Sequence, residues 1–598
     1  MTVEEVEPRT GAEAIGWDLS DLYAGIDDPA LEADVSDAEA RAAQIAAQYR
    51  GRIAALNADE MLALIEAYEA LLDQAYKTLS YARLHWTTNT EDPARGALLQ
   101  KLQERLSRLQ QETVFLTLEW ANAPDAAAAA LIDNPKLARY RHFLETARRY
   151  RPHLLSEPEE KILTEKRVTG RGAWSRFFNE VHSAARYEFD GERVPEQVVL
   201  SKLHSVDRDV RRRAAGVLTT GLKNLSRTTT YIFNTILADK ASDDRLRNYP
   251  TWISARNLDN EVSDESVQAL VEAVTSRYDI VARYYRLKRR LLDVDELFDY
   301  DRYAPLPAAD QRYTWDEGRA LVLDAYGQFH PRMAQIAEMF FEYGWIDAAV
   351  RPGKRGGAYS SSTVPSVHPY VFLNYQALPR DVMTLAHELG HGVHQYLARE
   401  QGILQADTPL TTAEMASTFG EALVFSALMA RESDPQVRLA MLTGKLEDSF
   451  ATVFRQVAMN RFEDAIHNAR RREGELTTDQ FCDLWLETQR AMFSDSVTLT
   501  DDYGIWWSYI PHFIDVPGYV YAYAFGELLV LALYARYQQA GAGFADGYIE
   551  VLRAGGSDWP HEIVKPLGVD LTDPHFWHEG LQILDDMVAQ AEALAAQT

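Results

Sequence analysis

Helical periodicity dominates the first 190 or so residues of this 598-residue chain. One stretch shows it well: apolar side chains recur at spacings near 3.6 residues, at Met61, Leu62, Leu64, Ile65, Tyr68, Leu71 and Leu72. Such spacing places them on one face of an amphipathic helix. Helical sequence resumes after residue 205, runs to about residue 345, and returns from Asp381 onward. The sequence therefore predicts a mainly α, multi-helical protein.

The helical pattern is first interrupted between residues 185 and 205. The segment from Tyr187 to Val194 alternates in polarity and contains Asp190-Gly191, a turn signal typical of a hairpin. We place a domain boundary there. An N-terminal helical domain is expected over residues 1–190, and a larger domain with the chemically distinctive residues over residues 191–598.

A second interruption covers residues 353–376. The glycine- and serine-rich loop from Gly353 to Ser362 precedes a β-rich segment, Tyr370 to Tyr375, which we predict to be a strand. The loop lacks the spacing of a phosphate-binding P-loop, and no Ser or Thr follows Lys354. The chain thus carries a small β element in an otherwise helical sequence.

Charge and composition exclude several classes of partner and location. Acidic residues outnumber basic ones, 89 against 61, so a nucleic-acid partner is not expected. Cys482 is the only cysteine, which excludes an intrachain disulfide. The acidic N-terminus from Met1 to Glu5 lacks the apolar core that a signal peptide requires, so we do not expect it to be a secretory signal. The most apolar stretch, Tyr519 to Ala535, is interrupted by Gly526 and Glu527 and is too short to span a membrane. We expect a cytoplasmic protein.

The segment from Asp381 to His394 is a helix by pattern, with Asp381 as its expected N-cap. His387 and His391 lie one turn apart on the same face, so both imidazoles can bind one ion. Glu388 projects beside them, where it can take a proton from metal-bound water. The alternative is two surface histidines that stand four apart by chance. The helical context and the neighbouring loop and strand favour the metal site.

Two glycines in this helix, Gly390 and Gly392, indicate close packing. Each costs roughly 1 kcal/mol relative to Ala in an exposed helix, so we expect another element to approach the backbone there. His394 lies on the same side, but it is seven residues from His387, roughly 10 Å along the axis. That distance is too great for both to bind one ion, and we interpret His394 as a packing or supporting residue.

A catalytic zinc site normally takes three protein ligands and leaves one position for water. The best local candidate for the third ligand is Glu414, in the segment Thr411 to Glu421. Thr411 and Glu414 also match a helix capping box. Under that interpretation Glu421, two turns further, is the competing ligand. Spacing alone favours Glu414 without excluding Glu421.

With these motifs in view, the sequence resembles the M3 family of metallopeptidases, specifically the oligoendopeptidase F branch. The resemblance covers most of the chain and rests on motifs in the family's order: residues 17–23 (WDLSDLY), 353–359 (GKRGGAY), 368–370 (HPY), the His387 helix, 413–417 (AEMAS), 551–557 (VLRAGGS) and 565–570 (KPLGVD). It implies His387, His391 and Glu414 as ligands of one Zn²⁺ per chain. Glu388 is implied as the general base, and Glu421 becomes a carboxylate that supports a ligand. A helical two-lobed body around a deep substrate channel is also implied, which admits short unfolded peptides.

Residues 507–523 form a second group rich in His and Tyr. Neutral His and Tyr donors near the metal can stabilise the oxyanion formed when water attacks a peptide carbonyl. An aromatic helix in the core is the alternative, which we prefer for Tyr521 and Tyr509. The resemblance implies His512, Tyr519 and Tyr523 as substrate and transition-state residues. A later tyrosine of some relatives corresponds roughly to Gly526 here, which leaves the role of each tyrosine open.

The β element suggests how a peptide is held. The strand that begins at Tyr370 can pair with an extended peptide through main-chain hydrogen bonds, and the preceding loop, with Gly357, Ala358 and Tyr359, can close over it.

The sequence as a whole predicts a zinc endopeptidase that hydrolyses short peptides and acts as a monomer or small homo-oligomer without nucleic acid or membrane. An exopeptidase on a similar zinc helix is the alternative, and it needs a charged anchor for the substrate terminus.

Overall fold

The structure, a computed structural model, describes residues 9–306 and 311–597 and is mainly helical, as predicted. The acidic N-terminus discussed above lies outside the described residues. The α-helices are α1 (Pro29–Tyr49), α2 (Ala58–Thr87), α3 (Pro93–Asn122), α4 (Asp125–Ile132), α5 (Arg141–Arg148), α6 (Glu157–Arg167), α7 (Arg171–Ala184), α8 (Glu196–Lys202), α9 (Arg208–Leu246), α10 (Ser254–Asp259), α11 (Asp264–Ser276), α12 (Tyr278–Leu291), α13 (Trp315–Phe329), α14 (Pro331–Glu342), α15 (Pro379–Ala398), α16 (Leu410–Ala413), α17 (Met415–Arg431), α18 (Pro435–Thr452), α19 (Phe454–Glu473), α20 (Thr478–Phe493), α21 (His512–Asp515), α22 (Tyr521–Ala540), α23 (Ala542–Ala554), α24 (Pro560–Val564) and α25 (Pro574–Ala595). Short 3-10 helices cover Ile53–Ala55, Pro135–Tyr140, Arg151–His153, Asp299–Asp301, Arg399–Gln401, Asp501–Tyr509 and Lys565–Leu567.

In the part of the chain that the structure describes, the named strands form two small sheets. Strands β1 (Tyr187–Phe189) and β2 (Glu192–Val194) form the predicted hairpin, with positive φ at Asp190 and Gly191. The second sheet contains β3 (Ile346–Asp347), β4 (Tyr359–Ser361) and β5 (Tyr370–Phe372). Its order is β3-β5-β4, so β5 is the central strand, parallel to β3 and antiparallel to β4.

The chain forms two compact units, each assembled from three separate stretches. Unit 1 comprises Met1–Arg151, Asp310–Arg431 and Arg536–Val569, and unit 2 comprises Pro152–Ala309, Glu432–Ala535 and Asp570–Thr598. These units do not follow the division that we expected at residue 190. Helices distant in sequence pack into one core, so chain order alone does not set the grouping.

Unit 1 contains the second sheet and α15 to α17. Its N-terminal helices α1 to α3 pack around an apolar core that includes Leu64, Leu71 and Trp120. The start of α2 is fixed by a capping box, in which Asn57 and Glu60 satisfy each other's backbone N–H groups.

Unit 2 is organised around the long helix α9. Asp207 caps its first turn by accepting from the Asp209 N–H. Its core packs Phe233 against the ring of Trp507, with ring centroids 4.6 Å apart.

Within residues 9–306 and 311–597, we find no helix whose length and apolar character would let it cross a membrane.

Candidate metal centre

Helix α15 begins earlier than predicted. Pro379 occupies its first turn and Leu378 is the N-cap, so the prediction of Asp381 as N-cap is wrong by three residues. Proline is favoured at this position because its fixed φ suits a helix. The N–H that it lacks would have no partner within the helix at this position. The Asp381 carboxylate instead reaches back and accepts from the backbone N–H groups of Gln376 and Leu378, at 2.8 and 2.9 Å.

One face of α15 is buried in unit 1. Val382, Leu385, Leu389 and Val393 are fully buried, as the apolar spacing requires. His387 and His391 retain 28% and 19% side-chain exposure. The buried stripe therefore fixes the rotation of the helix and turns both imidazoles toward a cavity.

The two glycines of α15 mark close packing, which confirms the prediction. A Cβ on Gly390 would lie 2.4 Å from the Ala416 carbonyl oxygen of α17 and 2.6 Å from the Ser417 Cα. A Cβ on Gly392 would lie 2.6 Å from the ring of Phe340. Gly390 thus allows the backbones of α15 and α17 to approach, which brings the start of α17 next to the two histidines.

Glu414 lies between α16 and α17, and it does not form the alternative capping box. Thr411 is inside α16, whose N-cap is Pro409. The Glu414 carboxylate accepts from the Ser417 hydroxyl at 2.7 Å. The break between the two helices frees the side chain to face α15.

His387, His391 and Glu414, which we call the donor cluster, present three ligand atoms to one point. The two Nε2 atoms are 3.2 Å apart, and Glu414 Oε2 is 3.5 Å from His387 Nε2 and 3.3 Å from His391 Nε2. Tetrahedral ligands at metal distances of about 2.0–2.1 Å stand about 3.3 Å from one another. The donor cluster therefore fits a single ion, and two imidazoles with one carboxylate are a donor set that catalytic zinc takes.

Glu421, on α17, holds the His387 imidazole of the donor cluster in place. His387 Nδ1 lies 2.6 Å from Glu421 Oε1 and donates to it when it carries the ring proton. That tautomer leaves the Nε2 lone pair free for the donor cluster. Burial lowers the pKa of His387, but the hydrogen bond to Glu421 and the nearby carboxylates outweigh it and raise the pKa above its usual value.

The protonation of the two other glutamates differs. Burial acts to raise the pKa of Glu414, but His391 and His387 outweigh it and lower the value to about 2, so the group is an ionised carboxylate that could bind a metal. Glu388 is 6% exposed, and burial raises the pKa of this carboxyl while the two histidines oppose the shift. A raised pKa suits a group that must accept a proton and release it again.

A cavity of about 510 Å³ opens beside the donor cluster, within unit 1. Its walls include α15 and the edge strand β4 with the preceding residue Ala358. Tyr359 lines it too, and the structure fixes this ring by stacking on Phe372 and by a 2.7 Å hydrogen bond to the Thr87 hydroxyl.

The position of Tyr370 gives no support to its predicted role in substrate binding. Tyr370 is fully buried in the central strand β5, and its hydroxyl donates to the Asp18 carbonyl oxygen at 3.0 Å. Since β5 is paired on both sides, it offers no edge to a peptide. Gly357, with φ of +85°, forms part of the turn before β4, and its carbonyl accepts from the Asn374 side chain.

His394 is buried beyond the donor cluster and lines the same cavity. Burial lowers its pKa to about 4, so the imidazole is neutral at pH 7. As predicted from its distance along the helix, it is not a member of the donor cluster.

His512, Tyr519 and Tyr523, which we call the His512 cluster, come together in unit 2. His512 Nε2 lies 3.3 Å from the Tyr523 hydroxyl, and the rings of Tyr519 and Tyr523 are 5.1 Å apart. Tyr523 is 37% exposed. Burial and the charge of Arg455 lower the pKa of His512, so its ring is neutral at pH 7.

The aromatic neighbours of this cluster are structural in part. Tyr521 is fully buried and its hydroxyl accepts from the Asn260 side chain at 2.9 Å, which agrees with its interpretation as core. Gly518 has φ of +77°, and its N–H donates to the buried carboxyl group of Glu463 at 2.8 Å. This turn delivers Tyr519 next to His512.

Sequence reasoning missed several residues of the cavity. Gln395 lies one turn after His391 on α15 and accepts from the Ser360 hydroxyl of β4 at 2.7 Å. Gln395 could have been predicted from the sequence, because a residue four positions after His391 lies on the same face of the helix. Asp407 also lines the cavity but lies in a loop with no recognisable pattern.

Comparison with known families gives two matches along the chain. Residues 201–583 match Peptidase family M3, and residues 119–187 match Oligopeptidase F. The first match contains the whole donor cluster, Glu388 and the His512 cluster.

Curated relatives span nearly the same length. Oligopeptidase PepF of Bacillus subtilis (strain 168) is 28% identical over 561 residues, which cover 92% of this chain and 82% of that protein. An oligoendopeptidase F homolog of Lactococcus lactis subsp. lactis (strain IL1403) is 25% identical and covers 97% of both chains.

Solved structures share the fold. A protein from Chlamydophila abortus aligns with a TM-score of 0.87 at 25% identity, over 96% of this chain and 98% of its own. The crystal structure of oligoendopeptidase-F from Enterococcus faecium gives a TM-score of 0.68 at 23% identity, over 95% and 98% of the two chains.

Proposed function

Because the chain belongs to peptidase family M3 and is therefore a peptidase, we propose that it is a zinc-dependent endopeptidase that hydrolyses short unfolded oligopeptides. The observation that carries the proposal is the donor cluster, three ligand atoms 3.2 to 3.5 Å apart, with the buried Glu388 beside it in an open cavity.

His387, His391 and Glu414 would hold one Zn²⁺ per chain. When bound, such an ion polarises the scissile carbonyl and lowers the pKa of the attacking water. Glu421 keeps His387 in the tautomer that can bind the ion, and the Ser417 hydroxyl orients the Glu414 carboxylate.

Glu388 is the general base of the proposed mechanism. Its carboxylate accepts a proton from the attacking water and returns it to the amine that leaves as the peptide bond breaks. Its place next to His387 in α15 keeps it at the cavity, and its burial favours the protonated form that the second step needs.

For the His512 cluster we propose the role of hydrogen-bond donors to the oxyanion. A neutral imidazole and a phenol each carry one donor, and neither needs to lose a proton in this step. The exposure of Tyr523, with its hydroxyl close to His512, supports Tyr523 rather than the less exposed Tyr519 as the contacting tyrosine.

The peptide backbone is proposed to pair with β4 in place of the central strand that we first expected. One edge of β4 is occupied by β5, while Ala358, Tyr359 and Ser360 line the cavity. Main-chain hydrogen bonds to such an edge do not depend on side chains, so they suit peptides of varied sequence. The single cysteine is compatible with a reducing compartment, and we propose a cytoplasmic location.

An endopeptidase is favoured over a carboxypeptidase by the charge of the cavity. A carboxypeptidase needs a cation to hold the terminal carboxylate, and the cavity-lining residues of the described chain include no Lys or Arg. Mass spectrometry of peptides blocked at both ends provides the test. Internal cleavage of these peptides is expected, whereas cleavage only of peptides with a free terminus would contradict the proposal.

A further inference from the structure

A carboxylate outside the donor cluster faces the same cavity. Asp407 lines the cavity between Ala406 and Thr408, in the loop before α16. Glu414 belongs to the donor cluster, and Glu388 interacts electrostatically with its two histidines. Asp407 is not a member of that cluster, so its charge is available for another purpose.

Among residues 9–306 and 311–597, no charged side chain pairs with Asp407. The cavity walls partly desolvate this carboxyl and raise its pKa, although Asp407 as a whole remains exposed to solvent. No cation contributes to the shift, and no Lys or Arg among the residues that the structure describes lines the cavity. A carboxylate in such surroundings attracts a cation more strongly than one in bulk water does.

The backbone around Asp407 is built to hold it in place. The Gly556 N–H donates to the Gln405 carbonyl oxygen at 2.9 Å, and the buried Gln405 side chain donates to the Arg139 carbonyl oxygen at 2.8 Å. A Cβ on Gly556 would lie 2.1 Å from the Asp407 carbonyl oxygen, so only glycine permits this approach. The Gly555-Gly556 pair of the C-terminal motif thus supports the wall of the cavity.

Asp407 is also linked to the edge strand. Asp407 lines the same cavity as Tyr359 and Ser360 of β4. A peptide paired with β4 would therefore pass the Asp407 carboxylate at a fixed position relative to its own backbone. Fixed placement is what makes a charged group select one residue of a bound peptide.

From these contacts we propose that Asp407 determines specificity by binding a cationic group of the peptide substrate, either a Lys or Arg side chain or a free α-amino group. The inference rests on the proposed endopeptidase function and adds the substrate class that this site prefers. The two sources share one chemistry, an ammonium or guanidinium group, and the experiment separates them.

The test uses three peptides of one sequence. The first has Gln at every varied position and is blocked at both ends. The second is a series of blocked peptides, in each of which one Gln of the first is replaced by Lys. The third is the Gln peptide with a free N-terminus. We expect the wild-type enzyme to cleave the second or the third with a kcat/KM about fivefold higher than the first, as one partly screened ion pair allows. Preference at one Lys position identifies a side-chain site, and preference for the third peptide identifies the α-amine.

Two substitutions at Asp407 make the test specific. In Asp407→Asn the ratio of kcat/KM values should fall to about one, and in Asp407→Lys a Glu peptide should be preferred over the Lys peptide. Asp27→Asn, which removes a charge from an exposed position of unit 1, should keep the wild-type ratio. The wild-type preference should also shrink as salt rises.

Equal kcat/KM values for all three peptides, or a preference that survives in Asp407→Asn, would overturn the inference while the endopeptidase function stands. If the wild-type enzyme cleaves none of the blocked peptides, the proposed function fails and the inference fails with it.

Discussion

The donor cluster of unit 1 and the His512 cluster of unit 2 are built by different means. In the donor cluster, both histidines stand on the regular helix α15 and Glu414 directly precedes α17, whose backbone approaches α15 at Gly390; packing or hydrogen bonds restrain these side chains. The His512 cluster stands on a four-residue helix, a glycine turn and the start of α22, and a 3.3 Å contact joins His512 to Tyr523. The difference separates a site preorganised by helix geometry from one that depends on the path of a loop.

The largest expected effect on kcat is that of Glu388→Gln in α15. The substitution keeps the shape of the side chain but removes the proton acceptor, so kcat should fall about 10³-fold or more. Bound metal should remain at the wild-type level, because Glu388 is outside the donor cluster. Steady-state kinetics and metal analysis check both. Glu66→Gln, at an exposed position of α2, is the matched control. Full activity in Glu388→Gln would refute the role of Glu388 as the general base.

His512→Phe tests the other side of the comparison. Loss of one oxyanion donor should lower kcat about 10²-fold and leave KM nearly unchanged. Tyr523→Phe, which removes only the hydroxyl, should show a smaller loss of the same kind, and kinetics on one blocked peptide measures both. His561→Phe, at an exposed histidine of unit 1, should behave as wild type. If His512→Phe keeps more than about a third of the wild-type kcat, the donor role is wrong.

Gly390→Ala should destabilise the protein by about 1–2 kcal/mol, roughly a tenfold change in the folding equilibrium, because its Cβ overlaps the backbone of α17. Gly444→Ala in α18 is the matched control: a Cβ there meets nothing within 4 Å, so the variant should gain about 0.5–1 kcal/mol. Denaturant unfolding measures the two free energies. If both variants changed the free energy of unfolding in the same direction, the close packing that we assign to Gly390 would be contradicted.

Glu421→Gln should weaken metal binding about tenfold, with a smaller loss of kcat at saturating metal. The substitution removes the charge that accepts from His387 Nδ1 while it keeps a side-chain oxygen. Competition with a chelator of known affinity gives the dissociation constant. An unchanged dissociation constant would mean that the 2.6 Å contact between Glu421 and His387 does not affect the metal affinity of His387.

Much of the fold and of the donor cluster followed from local sequence patterns. A period of 3.6 residues sets which helix face is buried, and the same period places His387 and His391 on one side. Asp190-Gly191 predicted the hairpin because both residues adopt positive φ in the turn. Local pattern could not choose Glu414 over the capping box, since both patterns use the same residues; the family resemblance favoured Glu414, and the structure shows that Thr411 is not an N-cap.

Long-range packing explains what the sequence could not predict. Tyr370 is in a strand, as expected, but its burial follows from pairing with β3 and β4, which lie at other places in the chain. Asp407 has no periodic neighbours, and its position depends on Gly556, almost 150 residues away. The division into units likewise follows from packing between distant segments.

Metal reconstitution tests the central claim most directly. The protein is stripped with a chelator, Zn²⁺ is added back in steps, and bound metal and cleavage of a doubly blocked peptide are measured together. We predict that activity rises in proportion to bound zinc and saturates at one ion per chain, while Glu388→Gln binds the same amount with at most about 10⁻³ of the turnover. Full turnover by the metal-free protein would contradict the account.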